Sequence, residues 1–206
     1  MATWTTFRAQ VRRELEETTA GIWSDTSLLW WANEAIRDIA IKTKPSRDWV
    51  YTTCVVGTST YDLPDNSLEV IEVFCGKDAD DDRRQLVRQD FRDWSKLDIS
   101  NGKPVYYAID DTSIILRPAP DDTYELSFLR YSLPTELSAD SDPMPFEDRY
   151  DQAINYYIKS KAYEQSLDWN SADALLARYN ASVDTAQIQE THEANSAYRT
   201  STVTVY

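Results

Sequence analysis

The stretch GKPVYYAIDDTSIILRPAPDDTYELSFLRY, Gly102–Tyr131, decides the fold class. Asp110-Asp111 and Ala119-Pro120-Asp121-Asp122 separate three strand-like runs, Val105–Ile109, Thr112–Pro118 and Thr123–Tyr131. That is the spacing of an antiparallel meander. Asn101-Gly102 supplies the turn ahead of it. Upstream, further strand-like runs at Trp49–Val56, Thr60–Leu63, Leu68–Cys75 and Gln85–Val87 are punctuated by Gly57, Pro64-Asp65-Asn66 and Gly76. A short helix is expected around Gln89–Leu97.

Helical periodicity flanks this region on both sides. Trp4, Phe7, Val11 and Leu15 recur at three- and four-residue intervals, which predicts an amphipathic helix over 4–18, ended near Gly21. Ser24 or Asp25 can cap a second helix, 25–43, whose Leu28, Ala32, Ala35, Ile36 and Ile39 form one face, with Pro45 beyond its end. After Pro143 and Pro145, the residues Phe146, Tyr150, Ala153, Ile154, Tyr157, Ile158 and Ala162 trace one stripe over about five turns. A last helix, Asn170–Glu190, carries Ala172, Leu175, Leu176, Tyr179 and Val183. Neither helical pair is large enough to be a domain alone. The order therefore predicts an α+β protein: a helical bundle built by residues 1–46 and 144–192, an inserted antiparallel β domain at 47–143, and an extended C-terminal arm at 193–206.

Composition bounds the function. With 42% hydrophobic residues and 12% aromatics in 206 residues, a real core is expected. The formal charge of −14 argues against a general polyphosphate binder. Its acidity is concentrated in the middle: residues 51–100 carry eleven acidic against six basic groups, and 101–150 carry ten against four. The opening MATWTTFRAQVRRELEE lacks an apolar core before charge, so no signal peptide is expected, and no apolar run approaches the ~20 residues of a membrane span.

Catalytic and metal chemistry find little support. Cys54 and Cys75 lack a CxxC partner, and with one histidine, His192, neither a zinc quartet nor a nucleophile–base triad is expected. Asp78-Ala79-Asp80-Asp81-Asp82 places carboxylates at positions one, three and five of a calcium loop. Arg83 then replaces the turning Gly and Gln89 the bidentate Glu, so an exposed hairpin tip is the better reading. The four glycines are too far apart for a P-loop or dinucleotide fingerprint. Paired carboxylates for glycoside hydrolysis exist among 35 acidic groups, but none sits in an apolar setting. No catalytic residue, cofactor or metal is expected.

What remains is surface suited to partners. Trp30 and Trp31 lie about 100° apart on one helix and cannot share a core face, while Tyr156 and Tyr163 fall off the stripe of Tyr150 and Tyr157. These four are candidate subunit contacts. Ala194–Tyr206 contains Arg199 as its one charge and alternates through Thr202-Val203-Thr204-Val205-Tyr206, a pattern that suits a strand added to another sheet edge.

The succession WSDTSLLWWANEAIRDIA at Trp23–Ala40, YDLP at Tyr61–Pro64, GKPVYYAIDDTSIILRPAP at Gly102–Pro120 and the Tyr-rich helix after Met144 resembles the head-to-tail connector (adaptor) proteins of tailed bacteriophages, from residue 5 to about 185. The resemblance implies a non-enzymatic virion protein of the neck, assembled in the host cytoplasm: a ring of identical subunits, commonly twelve, docked on the portal and continuing the DNA channel toward the tail. Its partners would be copies of itself, the portal, a downstream neck or tail protein, and genomic DNA sliding past without specific binding; no membrane is involved. Acidic walls that repel phosphates within a Debye length of ~8 Å suit such a channel, with a lumen lined by Asp and Glu. The C-terminal extension, with Tyr198, Arg199, Val203, Val205 and Tyr206, would meet the portal. The rivals are another neck or tail part, such as a stopper or tail terminator, and a carboxylate-dependent cell-wall hydrolase.

Overall fold

A computed structural model describes residues 2–17, 21–77, 83–94, 96–97, 100–146 and 148–201, with side chains described as far as Thr191. The chain divides into two compact units, Met1–Pro45 with Pro134–Tyr206, and Ser46–Leu133. The helices, with one antiparallel sheet and one mixed sheet that contains a parallel pair of strands, make it an α+β protein.

The first unit is helical: α1 (Trp4–Glu14), α2 (Asp25–Thr43), α4 (Asp151–Gln165) and α5 (Trp169–Ser201). The expected stripes are its core. Trp4, Phe7 and Val11 of α1, Leu28, Ala32, Ala35, Ile36 and Ile39 of α2, Ala153, Ile154, Tyr157, Ile158 and Ala162 of α4, and Ala172, Leu175, Tyr179 and Val183 of α5 are all buried. Leu176 departs from that set, standing 40% exposed. Ser24 caps α2, its side chain accepting from the Ser27 N–H at 3.0 Å. Tyr179 ties three helices together: its hydroxyl donates to Asp38 of α2, and its ring meets Tyr157 of α4 edge-on at 5.1 Å. Burial, and after it the Asp38 carboxylate, push the Tyr179 hydroxyl far above its usual range, so it stays a donor at any physiological pH. Residues 134–144 belong to this unit. Asn33 clasps Leu137 through both its amide groups at 2.9 Å, and the Asp140 and Asp142 carbonyls accept the otherwise free N–H groups of Thr5 and Trp4 at the start of α1.

Two helices end in the same way, and for α1 that end departs from expectation. α1 stops at Glu14 rather than near residue 18, because Glu16 takes the left-handed conformation (φ 58°) while the N–H groups of Glu17 and Glu16 bond back to the carbonyls of Arg12 and Arg13. Leu167 (φ 63°) closes α4 in the same way, with Asp168 and Leu167 bonding back to Tyr163 and Glu164. Both are Schellman ends built without glycine. The loop after α1 is held by Arg12, a buried guanidinium that donates to Asp25 at 2.6 Å, Glu17 at 3.0 Å and the Trp23 carbonyl at 3.0 Å. α5 runs as helix to Ser201, beyond the expected end at Glu190, so residues 193–201 of the expected arm have helical backbone; Val203, Val205 and Tyr206 lie outside the described residues.

The second unit holds β1 (Arg47–Thr53), β2 (Thr60–Asp62), β3 (Ser67–Gly76), β4 (Arg84–Gln85), β5 (Val87–Arg88), a four-residue helix α3 (Phe91–Trp94), β6 (Tyr106–Asp110), β7 (Ser113–Arg117) and β8 (Glu125–Ser132). They form two sheets of order β1-β8-β3-β4 and β2-β7-β6-β5. Here the expected meander fails. β6 and β7 pair as a hairpin, but β8 crosses to the other sheet and lies between β1 and β3. The connection is anchored midway, where the Ala119 and Pro120 carbonyls accept from the Gly102 and Gly57 N–H groups at 2.8 Å. The expected strand Gln85–Val87 is likewise split at Leu86, whose side chain is buried and whose N–H bonds to the Val73 carbonyl, leaving β4 in one sheet and β5 in the other. Val73, Cys75, Leu126 and Phe128 from the first sheet and Tyr107, Ile114 and Leu116 from the second share one core. Cys54 and Cys75 are free, buried thiols in that core. The acidic run Asp78–Asp82 lies outside the described residues.

Because a left-handed non-glycine residue costs about 1–2 kcal/mol, and glycine returns part of that in unfolded-state entropy, Glu16→Gly is expected to raise stability by about 0.5–1 kcal/mol in urea unfolding.

Candidate assembly surfaces

Within the helical unit, the adjacent tryptophans separate as their spacing demands. Trp31 is buried (7% exposed) and belongs to the unit's own core, whereas Trp30 stands 69% exposed. Tyr156 and Tyr163 are both half-buried. Around the α4–α5 corner, Leu167, Trp169 and Leu176 are 73%, 56% and 40% exposed, beside a pocket of about 270 Å³ lined by Tyr157, Lys161, Glu164, Trp169 and Leu176. A left-handed leucine exposed on a tight helix end is an apolar residue held out at a conformational cost, and with Trp169 it makes a patch suited to another protein.

Tyr156 accepts from Gln152 at 2.9 Å and lines a larger groove of about 470 Å³ with Arg149, Arg178, Thr185 and Gln189. Asp151 begins α4 beside this groove. One of its carboxylate oxygens is buried without a hydrogen-bond partner, and burial, followed by the neighbouring Asp148 charge, pushes its carboxyl up to about 6. The side chains of Tyr198 and Arg199 are not among those described.

The sheet unit contributes a surface that the sequence reading missed. β1 is the edge of its sheet, pairing with β8 alone. At its two ends the Ser132 N–H bonds to the Ser46 carbonyl (3.2 Å) and the Cys54 N–H to the Tyr124 carbonyl (2.7 Å). An antiparallel ladder alternates, so even-numbered residues face β8 and the backbone groups of Arg47, Trp49, Tyr51 and Thr53 point away from it. The side chains of those four stand on one face of the sheet and are all exposed. Arg83 roofs that face, its guanidinium 4.9 Å from the Trp49 ring centroid, 5.2 Å from Phe74 and 5.7 Å from Tyr51, while donating to Ser127 Oγ at 2.6 Å. The signal available in sequence was the alternation Trp49-Val50-Tyr51, with aromatics on the face that does not enter the core.

On the opposite face, Arg130 is buried, donates to Asp48 (3.2 Å), the Pro64 carbonyl (3.0 Å) and Ser67 Oγ (2.8 Å), and fixes β8 to both neighbours. Among the described residues no group of three or more His, Cys, Asp or Glu could hold a metal ion, and no helix is long and apolar enough to cross a membrane.

A family model described as SU10 adaptor protein matches residues 2–205, nearly the whole chain. No curated protein sequence matches it.

Two measurements check these surfaces. Asp151 binds its proton more tightly folded than unfolded, so its contribution falls as pH rises from about 3.8 through about 6. Asp151→Asn is expected to be more stable than the parent at pH 7 by about 1 kcal/mol, a figure discounted for the solvent reaching this half-buried position. The gap closes near pH 4. Arg83→Ala is expected to cost about 1–2 kcal/mol and to make Trp49 more accessible to acrylamide quenching.

Proposed function

This chain belongs to the SU10 adaptor protein family of structural phage proteins, and from that membership we propose that it forms the head-to-tail adaptor ring of the virion neck, docked on the portal and continuing the DNA channel toward the tail. The observation that carries the reading is the family match over residues 2–205. The surfaces support it. Trp30, Leu167 and Trp169 stand largely in solvent, and in this proposal they serve as contacts between copies, together with the half-buried Tyr156 and Tyr163. Trp31 takes no part, since its ring is spent in the core.

The ring in this proposal holds twelve copies, and its partners are the portal above and a neck or tail protein below. Genomic DNA passes through the lumen unbound, repelled by Asp and Glu of a chain with formal charge −14. The segment that includes Tyr198, Arg199, Val203, Val205 and Tyr206 is, in this proposal, the arm that reaches the portal.

Imaging of the particle neck, at a resolution that counts subunits, is the direct check: a closed ring of this chain beneath the portal is expected. The double variant Trp30→Asp, Trp169→Asp should keep the parent's melting temperature, both rings being mostly in solvent, yet fail to occupy portal-bearing capsids. Normal occupancy by that variant would remove these tryptophans from the interface.

A further inference from the structure

β1 is a seven-residue edge strand whose outward N–H groups and carbonyls, on Arg47, Trp49, Tyr51 and Thr53, no strand of the described residues pairs. The remaining edges, β2, β4 and β5, are three, two and two residues long. Soluble proteins protect long edges with charge, proline or a bulge, because an open edge templates another chain. Between Trp49 and Thr53 β1 has none of these. The opening is bounded at both ends. Pro45 has no N–H to offer, and at Val55 the N–H and the carbonyl are both bonded to the Tyr61 hydroxyl, at 3.0 and 3.2 Å.

The open row is symmetric about Val50, so it is its own complement. When a second β1 lies antiparallel with the two Val50 residues opposed, Arg47 meets Thr53 and Trp49 meets Tyr51, and every outward N–H of each strand finds an outward carbonyl on the other. A slip by one residue sets outward groups against groups already bonded to β8. A slip by two sets Thr53 against Pro45 in one direction and Arg47 against Val55 in the other, and bonds are lost either way. The side chains favour the same register. Opposed residues share a face, so the exposed Trp49 and Tyr51 of one copy stand beside Tyr51 and Trp49 of the other as aromatic cross-strand pairs. Arg47 faces Thr53 and Asp48 faces Thr52, so no like charges meet, a condition that matters between copies of charge −14.

We propose that two copies of this chain pair through β1, antiparallel and centred on Val50, joining their four-stranded sheets into one continuous sheet. The pair is closed, because each copy spends its one long edge in it. A two-fold contact is not the repeated contact of a ring. The pairing therefore goes beyond the adaptor-ring reading and concerns the subunit before it joins the neck, where it covers an edge that templates aggregation when left open.

The test uses the full chain. Sedimentation of the parent should show a monomer–dimer equilibrium, and oxidation with diamide should link Val50→Cys into a covalent dimer, because opposed residues that share no hydrogen bond have Cα atoms about 4.5 Å apart, within disulfide reach. Thr52→Cys, which faces Asp48 of the other copy, should not link, and neither should the parent, whose Cys54 and Cys75 are buried. The Trp49 and Tyr51 amides should exchange more slowly as concentration rises, while Val50 and Thr52, already bonded to β8, change little. Tyr51→Pro takes one outward N–H from each copy and should weaken pairing about tenfold, whereas Tyr51→Thr, which keeps the N–H, should lose less. The double variant Trp30→Asp, Trp169→Asp should pair as the parent does. A parent that stays monomeric at every concentration, no link through Val50→Cys, equal pairing by Tyr51→Pro, or pairing lost with the helical tryptophans would each overturn the proposal. Should Tyr51→Pro not fold, the Val50→Cys link and the exchange pattern decide. Failure of the adaptor reading registers separately, as a chain that pairs in solution yet does not attach to portal-bearing capsids.

Discussion

The sheet unit depends on β8 being paired along both of its edges. Its inward side chains, Leu126 and Phe128, are fully buried, and Arg130 on the same strand bonds to Asp48 of β1 and to Ser67 of β3. A strand so enclosed has no choice of neighbours, which forces β1 to the outside of the sheet. The open backbone groups of Arg47, Trp49, Tyr51 and Thr53 follow from that placement, because the even-numbered residues of β1 commit theirs to β8, while the pleat turns the four side chains to the sheet face opposite the core. The openness of this edge is a consequence of which strand is central.

Periodicity made the helices legible and left their ends unread. Trp4, Phe7 and Val11, or Ala153, Ile154, Tyr157 and Ile158, repeat at helical spacing because the buried face of a helix must. The ends at Glu16 and Leu167 are decided by carbonyls three to five residues upstream that need a donor, and the residue turning left to supply it is a glutamate in one case and a leucine in the other. Composition gives no sign of that. α5 shows the converse: its apolar stripe thins after Val183 and suggested an end near Glu190, but the helix runs on to Ser201 through residues of good helix propensity such as Gln187, Gln189, Glu190 and Ala194.

The failed meander has a different cause. Turn chemistry tells where a strand stops, and it did so at Asp110-Asp111 and Ala119–Asp122, but it does not say which sheet the chain enters next. Leu86 and the Pro118–Tyr124 connection both carry the chain between sheets, each at a point where a buried side chain or a backbone bond to a distant residue fixes the crossing. Such bonds span dozens of residues and leave no local pattern. The candidate surface was legible to the same extent: a 100° offset separates Trp30 from Trp31 by geometry alone, whereas Arg83 over Trp49, Tyr51 and Phe74 joins segments that only the sheet brings together.

Charge finally constrains how such a subunit can associate with itself. Copies that each carry −14 repel one another, and exposed ion pairs between them offset little of that. Apolar rings and backbone groups are indifferent to net charge. The exposed residues here are of those two kinds, tryptophans and leucine on the helices and an open row of amides and carbonyls on β1. An assembly held by them can keep its acidity for the surfaces that face elsewhere.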